Sequence, residues 1–169
     1  MNDFIYDKDT IILNWYDVDL IHRNIAENIR KDGYDVEAIV SMTRGGLVSA
    51  AHLAYILGVH PIISIQIGRP PTANSLNHTE YIPMLISDSS DLHRITGKNV
   101  LLVDGAIGTG KTIHLATDIL DKYKPKDIRV AITTAWSGCP ELPSESFWAN
   151  KTIYLGESFV LWPVLPWEF

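Results

Sequence analysis

The stretch Gly105-Ala106-Ile107-Gly108-Thr109-Gly110-Lys111-Thr112 directly follows the apolar run Asn99-Val100-Leu101-Leu102-Val103-Asp104 and leads into an amphipathic segment. A glycine-rich turn between a buried strand and a helix is compatible with few folds. The helix must start at the end of the strand, where its unpaired backbone N–H groups and the positive end of its dipole face an anion. A phosphate site at the carboxyl end of a sheet strand is the expectation.

The rest of the chain repeats that alternation. Ile11, Ile12 and Leu13 suggest a short strand, and Asn14 can cap a helix beginning at Trp15. Val18, Ile21, Ile25 and Ile29 fall at three- and four-residue steps, which predicts a one-sided helix from Trp15 to Arg30 stopped by Gly33. Val36 to Met42 reads as a buried strand ending in Thr43-Arg44-Gly45-Gly46, 47–57 as a helix closed by Gly58, and 61–67 as a strand. Strand 99–103, helix 112–123 before Pro125 and strand 128–134 continue the series. The expected class is α/β, a mostly parallel sheet covered on both faces by helices. Residues 68–90 carry no sustained period and read as a flexible loop with room for a strand at 81–86; loops of this length often act as lids. With 169 residues and 46% hydrophobic content, we expect a single domain over 1–169.

The net charge of −6 leaves no electrostatic footprint for nucleic acid or an anionic membrane, so any phosphate site is a local pocket. The acidic N-terminus and the absence of a long apolar run predict no signal peptide or spanning helix, and hence a cytoplasmic protein. The single cysteine, Cys139, permits no internal disulfide, and the six histidines lack metal-ligand spacing. His52 and His114 read as fillers within helices.

Two phosphate chemistries fit the octet. From Gly105 it matches the nucleoside-triphosphate P-loop, with Lys111 on the terminal phosphates and Thr112 on Mg²⁺. That loop usually follows the first strand of its domain and needs a later strand ending in Asp; here about a hundred residues come first, and the next strand ends Thr-Thr-Ala-Trp. Read from Val100, the octet resembles the phosphoribosyl-diphosphate (PRPP) signature of type I phosphoribosyltransferases. Thr43-Arg44-Gly45-Gly46 is a second anion turn, and two such turns in one sheet suit a ligand with two separated phosphate groups. The tail Trp162-Pro163-Val164-Leu165-Pro166-Trp167-Glu168 is similar to the Trp-x-x-x-Pro-Trp ending of the small xanthine-guanine and hypoxanthine enzymes.

The resemblance implies a type I phosphoribosyltransferase fold with a small hood built from the N-terminus and about 136–169. It implies transfer of phosphoribosyl from PRPP to a nucleobase with release of diphosphate, Mg²⁺ being held through PRPP with Asp104 as its indirect protein contact. By the same resemblance Gly108, Thr109, Gly110, Lys111 and Thr112 bind the 5′-phosphate and Asp104 accepts from ribose hydroxyls. Thr43, Arg44, Gly45 and Arg69 face the diphosphate, Arg44 and Asp104 being the catalytic pair, and Trp136, Trp162 and Pro163 border the base. The apolar tail suits a homo-oligomer.

The chain also departs from the family pattern. Gly105 stands where most members carry a second acid, Gly108 where hypoxanthine-guanine enzymes carry an Asp for the purine N7 proton, and Trp136 where 6-oxopurine enzymes place a Lys against O6. The acceptor expected is therefore purine-like and not a standard 6-oxopurine. A PRPP-binding regulator without catalysis is the main alternative, and a true P-loop enzyme the weaker one.

Overall fold

The computed structural model describes residues 10–68, 82–87, 90–138 and 151–168. They form β1 (Thr10–Ile12), α1 (Trp15–Lys31), β2 (Ala38–Thr43), α2 (Gly45–Leu57), β3 (Ile62–Gly68), β4 (Met84–Leu85), a 3-10 segment (Ser90–Ile95), β5 (Asn99–Ile107), α3 (Lys111–Asp121), β6 (Asp127–Trp136), β7 (Ile153–Phe159) and β8 (Trp162–Val164).

Helix α1 starts where the sequence supplies both halves of a cap. Asn14 Oδ1 accepts from the N–H groups of Tyr16 and Asp17, and Asp17 accepts from Asn14 N at 3.0 Å, which satisfies donors that a helix end leaves orphaned. Its buried face is Val18, Ile21, Ile25, Ala26 and Ile29, interrupted by one polar residue, His22. Helix α2 ends on Gly58, whose φ of 71° is one that only glycine adopts at little cost.

The main sheet runs β4-β3-β2-β5-β6-β7, with every pair parallel except β3 with β4. Strands buried on both faces must be continuously apolar, and Ala38–Val40 and Val100–Val103 are. Alternate residues split the core. Val40, Leu102, Val130 and Ile132 meet Ile113, Ala116 and Leu120 of α3 on one face. Ile39, Leu101, Val103 and Ala131 meet Ile25 of α1 and Ala50 and Leu53 of α2 on the other. Among the described residues no helix is long and apolar enough to cross a membrane.

Three expectations are corrected. The stretch 68–90, expected to be mostly loop, gives its first residue, Gly68, to β3, while β4 falls inside the strand expected at 81–86 and pairs antiparallel to Ile67 and Gly68; residues 69–81, Arg69 among them, lie outside the described part. The stretch expected to form the hood, about 136–169, supplies β7, the edge strand of the main sheet, so among the described residues only the two-stranded β1–β8 pair stands apart as a hood. Nothing in Ile153 to Phe159 announces a strand, because an edge strand with mixed exposure has no apolar run. Finally, β5 extends to Ile107, four residues beyond the end expected.

Tyr34, just after α1, pins the amino-terminal edge of the sheet: its hydroxyl donates to Val100 O at 3.0 Å, and the Arg129 guanidinium lies 4.1 Å from its ring centre. Tyr34→Phe leaves that buried carbonyl short of a partner and should cost about 1–2 kcal/mol. A lowered urea midpoint with an unchanged slope would register the loss.

Candidate active site at the strand-order switch

From β2 the chain moves outward to β3, whereas from β5 it moves the opposite way to β6 and β7. In an open parallel sheet this reversal leaves a crevice beyond the carboxyl ends of the two central strands. Both glycine turns sit there, one after β2 and one after β5.

The first turn is short. Strand β2 ends at Thr43, whose hydroxyl donates to Ile65 O of β3 at 3.2 Å, and Arg44 comes next, exposed, across a cis peptide. Helix α2 then begins at Gly45 with no side chain capping it, which leaves its amino end to an anion. Gly46 lets that end lie directly on β5. A Cβ there would fall 2.9 Å from Asp104 Cα and 3.2 Å from Val103 C, and closer still to Val103 O.

The second turn is Gly108 to Gly110. Gly110, with a φ of 72°, precedes α3, which also lacks a side-chain cap, and Lys111 and Thr112 open the helix. The five residues expected around the 5′-phosphate are therefore one contiguous turn and helix start. Gly105 to Ile107 are strand, paired with β6 as far as Ile107↔Ala135. A P-loop starting at Gly105 would need those residues as wrapping turn, so the structure removes the basis of that reading.

Asp104 stands between the turns. Its Oδ1 accepts from Gly105 N at 2.8 Å and lies 3.6 Å from where a Cβ on Gly45 would be. Burial carries its carboxyl up to about 7; the Gly105 N–H opposes this and the charge of Glu168 adds to it. A carboxyl in that range takes or gives a proton near neutrality.

The space of the missing second acid is filled. A Cβ on Gly105 would lie 2.8 Å from Gly45 O and 3.0 Å from Leu165 Cδ1. Leu165 is buried, and the tail turns tightly beyond it: Glu168 Oε2 accepts from Leu165 N at 2.8 Å, and Glu168 N donates to Leu165 O at 3.0 Å. The tail thus brings a second carboxylate toward Asp104 from a distant part of the chain. No motif in the sequence marks Leu165 or Glu168; the one signal is the acid directly after the Pro-Trp pair.

Of the base-side residues, Trp162 is 36% exposed and meets Trp136 edge to face, ring centres 5.5 Å apart. Trp136 donates its indole N–H to Val160 O at 2.9 Å, so it has no donor left for a base carbonyl. Pro163 is buried in β8 opposite Ile11, which leaves Trp162 with the open ring. No group of three or more His, Cys, Asp or Glu among the described residues converges as a metal cage.

The family model for the phosphoribosyl transferase domain matches residues 11–165. The human "Phosphoribosyltransferase domain-containing protein 1" is 32% identical over 120 residues, 68% of this chain and 53% of that protein, so the chain spans about half the length of this relative. Among solved structures, a purine phosphoribosyltransferase from Pyrococcus horikoshii superposes with a TM-score of 0.72 at 26% identity, covering 95% of each chain. A Neisseria gonorrhoeae protein solved with bound ppGpp gives 0.81 at 20% identity, covering 98% of this chain and 92% of its own. The family match takes in both glycine turns, Asp104 and strand β8 of the hood, and this chain belongs to the phosphoribosyltransferase family.

Proposed function

We propose that the chain transfers the 5-phosphoribosyl group of PRPP to a purine-like base other than a standard 6-oxopurine, releasing diphosphate. The observation that carries this reading is the pair of uncapped glycine turns on either side of the strand-order switch with Asp104 between them. Gly108 to Thr112 would hold the 5′-phosphate, and Arg44 with Gly45 and the backbone at Thr43 the diphosphate. Arg69 is proposed for the diphosphate from the family resemblance alone. Trp162 would stack on the base. The engaged N–H of Trp136 disfavours an acceptor that needs a side-chain donor there.

Mg²⁺ fits this site as a companion of the substrate. It would be held through the phosphate oxygens of PRPP, with Asp104 as its indirect protein contact, and when bound it would stabilise charge building on the departing diphosphate. The protein's own work is to align C1′ with the base and to keep water from it.

The test is diphosphate release from PRPP and Mg²⁺ over a panel of purine, pyrimidine and deazapurine bases, with PRPP binding followed by calorimetry. Asp104→Asn should lower kcat/KM for PRPP about 10- to 100-fold, the worth of one hydrogen bond to a charged group, ~1.5–3 kcal/mol. Unchanged turnover would sink the ribose-binding assignment. A second reading, a ligand-binding regulator, is motivated by the absent second acid and by the ppGpp in the Neisseria protein. It predicts binding of PRPP or ppGpp without release from any base.

A further inference from the structure

Beneath the first turn, on the α1 and α2 face of the sheet, a file of polar side chains runs inward from the surface. Asp19 Oδ1 lies 3.3 Å from His52 Nε2, His52 Nδ1 2.9 Å from His22 Nδ1, His22 Nε2 2.9 Å from Thr133 Oγ1, and Thr133 Oγ1 2.7 Å from Ser49 Oγ. His22, Ser49 and Thr133 are fully buried, while Asp19 and His52 reach solvent.

Chemistry sets the direction of every bond. The Arg23 guanidinium, 2.8 Å away, favours ionised Asp19, which can only accept, so His52 donates from Nε2. A neutral His52 then has a bare Nδ1 and takes the proton of His22 Nδ1. Burial first, with His52 adding, holds the His22 pKa down at about 4, so that ring is neutral and accepts at Nε2 from Thr133, which accepts from Ser49. Asp19 and Arg23 are the charged groups beside the ring pair on α1; besides His52, α2 and β6 present the neutral hydroxyls of Ser49 and Thr133.

One added proton reverses the order. The proton between the rings then belongs to His52, and His22 carries its own on Nε2 and donates to Thr133. Thr133 donates to Ser49, whose own hydroxyl proton is then released from Thr133 and can go to a helix carbonyl one turn back, that of Gly45. The charge remains at the surface beside Asp19. That carbonyl is the one packed against Gly105.

We propose that this file is a positioning device for the Gly45–Gly46 turn, which a proton at His52 resets, so that solvent pH acts on diphosphate binding through Ser49. The proposal rests on the phosphoribosyl reading.

The experiment is long-range ¹H–¹⁵N spectroscopy of the histidine rings of the whole chain, with PRPP and Mg²⁺ as the probe and calorimetry on the same samples. At about pH 7.5, where an ordinary imidazole is mostly neutral, His22 should carry its proton on Nδ1, and saturating PRPP should shift its ring nitrogens. Between about pH 7.5 and 5.5 PRPP affinity should fall about fivefold more in the wild type than in His52→Gln, which keeps the titrations of PRPP itself and of Asp104. Thr133→Val fills the same space without the hydroxyl and should lose the PRPP-induced shift; if it does not fold, the His52→Gln comparison still decides. His22 nitrogens unmoved at saturation, or equal pH responses in the two proteins, would overturn the proposal. A wild type that binds no PRPP overturns the phosphoribosyl reading and this proposal together, an outcome that calorimetry separates from the others.

Discussion

Gly46→Ala should weaken PRPP binding about 100-fold and destabilise the fold at once. The added methyl falls on backbone, 2.9 Å from Asp104 Cα and against Val103 O, so no side-chain rotation can make room. The amino end of α2 must lift from β5 or β5 must bow outward. Overpacking of this kind typically costs about 1–3 kcal/mol. For a chain of this size, that lowers Tm by roughly 2–12 °C. The functional loss should be larger, because lifting α2 separates the Gly45 turn from Asp104; displacing a positioning group by about 1 Å can cost about 100-fold. Calorimetric PRPP affinity and a thermal melt on one sample check both parts. A variant with unchanged Tm and affinity would mean that α2 does not rest on β5 as described.

Gly105→Asp restores the acid found at this position in most of the family, and it should nevertheless lower activity at least about tenfold, a loss of ~1.4 kcal/mol or more of transition-state stabilisation. The side chain has nowhere to go. Its Cβ would lie 2.8 Å from Gly45 O and 3.0 Å from Leu165 Cδ1, so the first turn or the tail must move, and displacing Leu165 carries Glu168 away from Asp104. Gly105→Ala separates the two effects: it brings the collision without the charge and should show most of the loss. Activity gained by Gly105→Asp would contradict the view that the tail has taken the place of the second acid. Steady-state kcat and KM for PRPP, measured beside the two variants' melts, distinguish a displaced tail from a globally weakened fold.

The glycine turns, the helix caps and most of the alternating strands were legible in the sequence because each is a local matter. A cap needs Asn14 three residues before Asp17, and a phosphate turn needs glycines between a strand and a helix. Strand β7 was not legible, since its residues answer to Thr133 and Ile21 across space and Gly156 serves only to let those neighbours approach. His22 looked like any scattered histidine. Its partners stand thirty and more positions away, His52 at a separation of 30 and Thr133 at 111, and no spacing rule reaches that far.

By itself, the sequence determined the local features: two glycine turns between a strand and a helix, one acid within the central strand, and a tail rich in Trp and Pro. Tertiary structure alone decided that the two turns follow the carboxyl ends of adjacent strands, because strand order, and so the place where it reverses, is set by nonlocal pairing of β2 with β5. It alone decided that Gly105 is a seat for Leu165 rather than a missing carboxylate, and that Glu168 approaches Asp104. Contacts between residues dozens of positions apart depend on how packed layers fill space, and a linear pattern carries no record of which distant side chain fills a given gap.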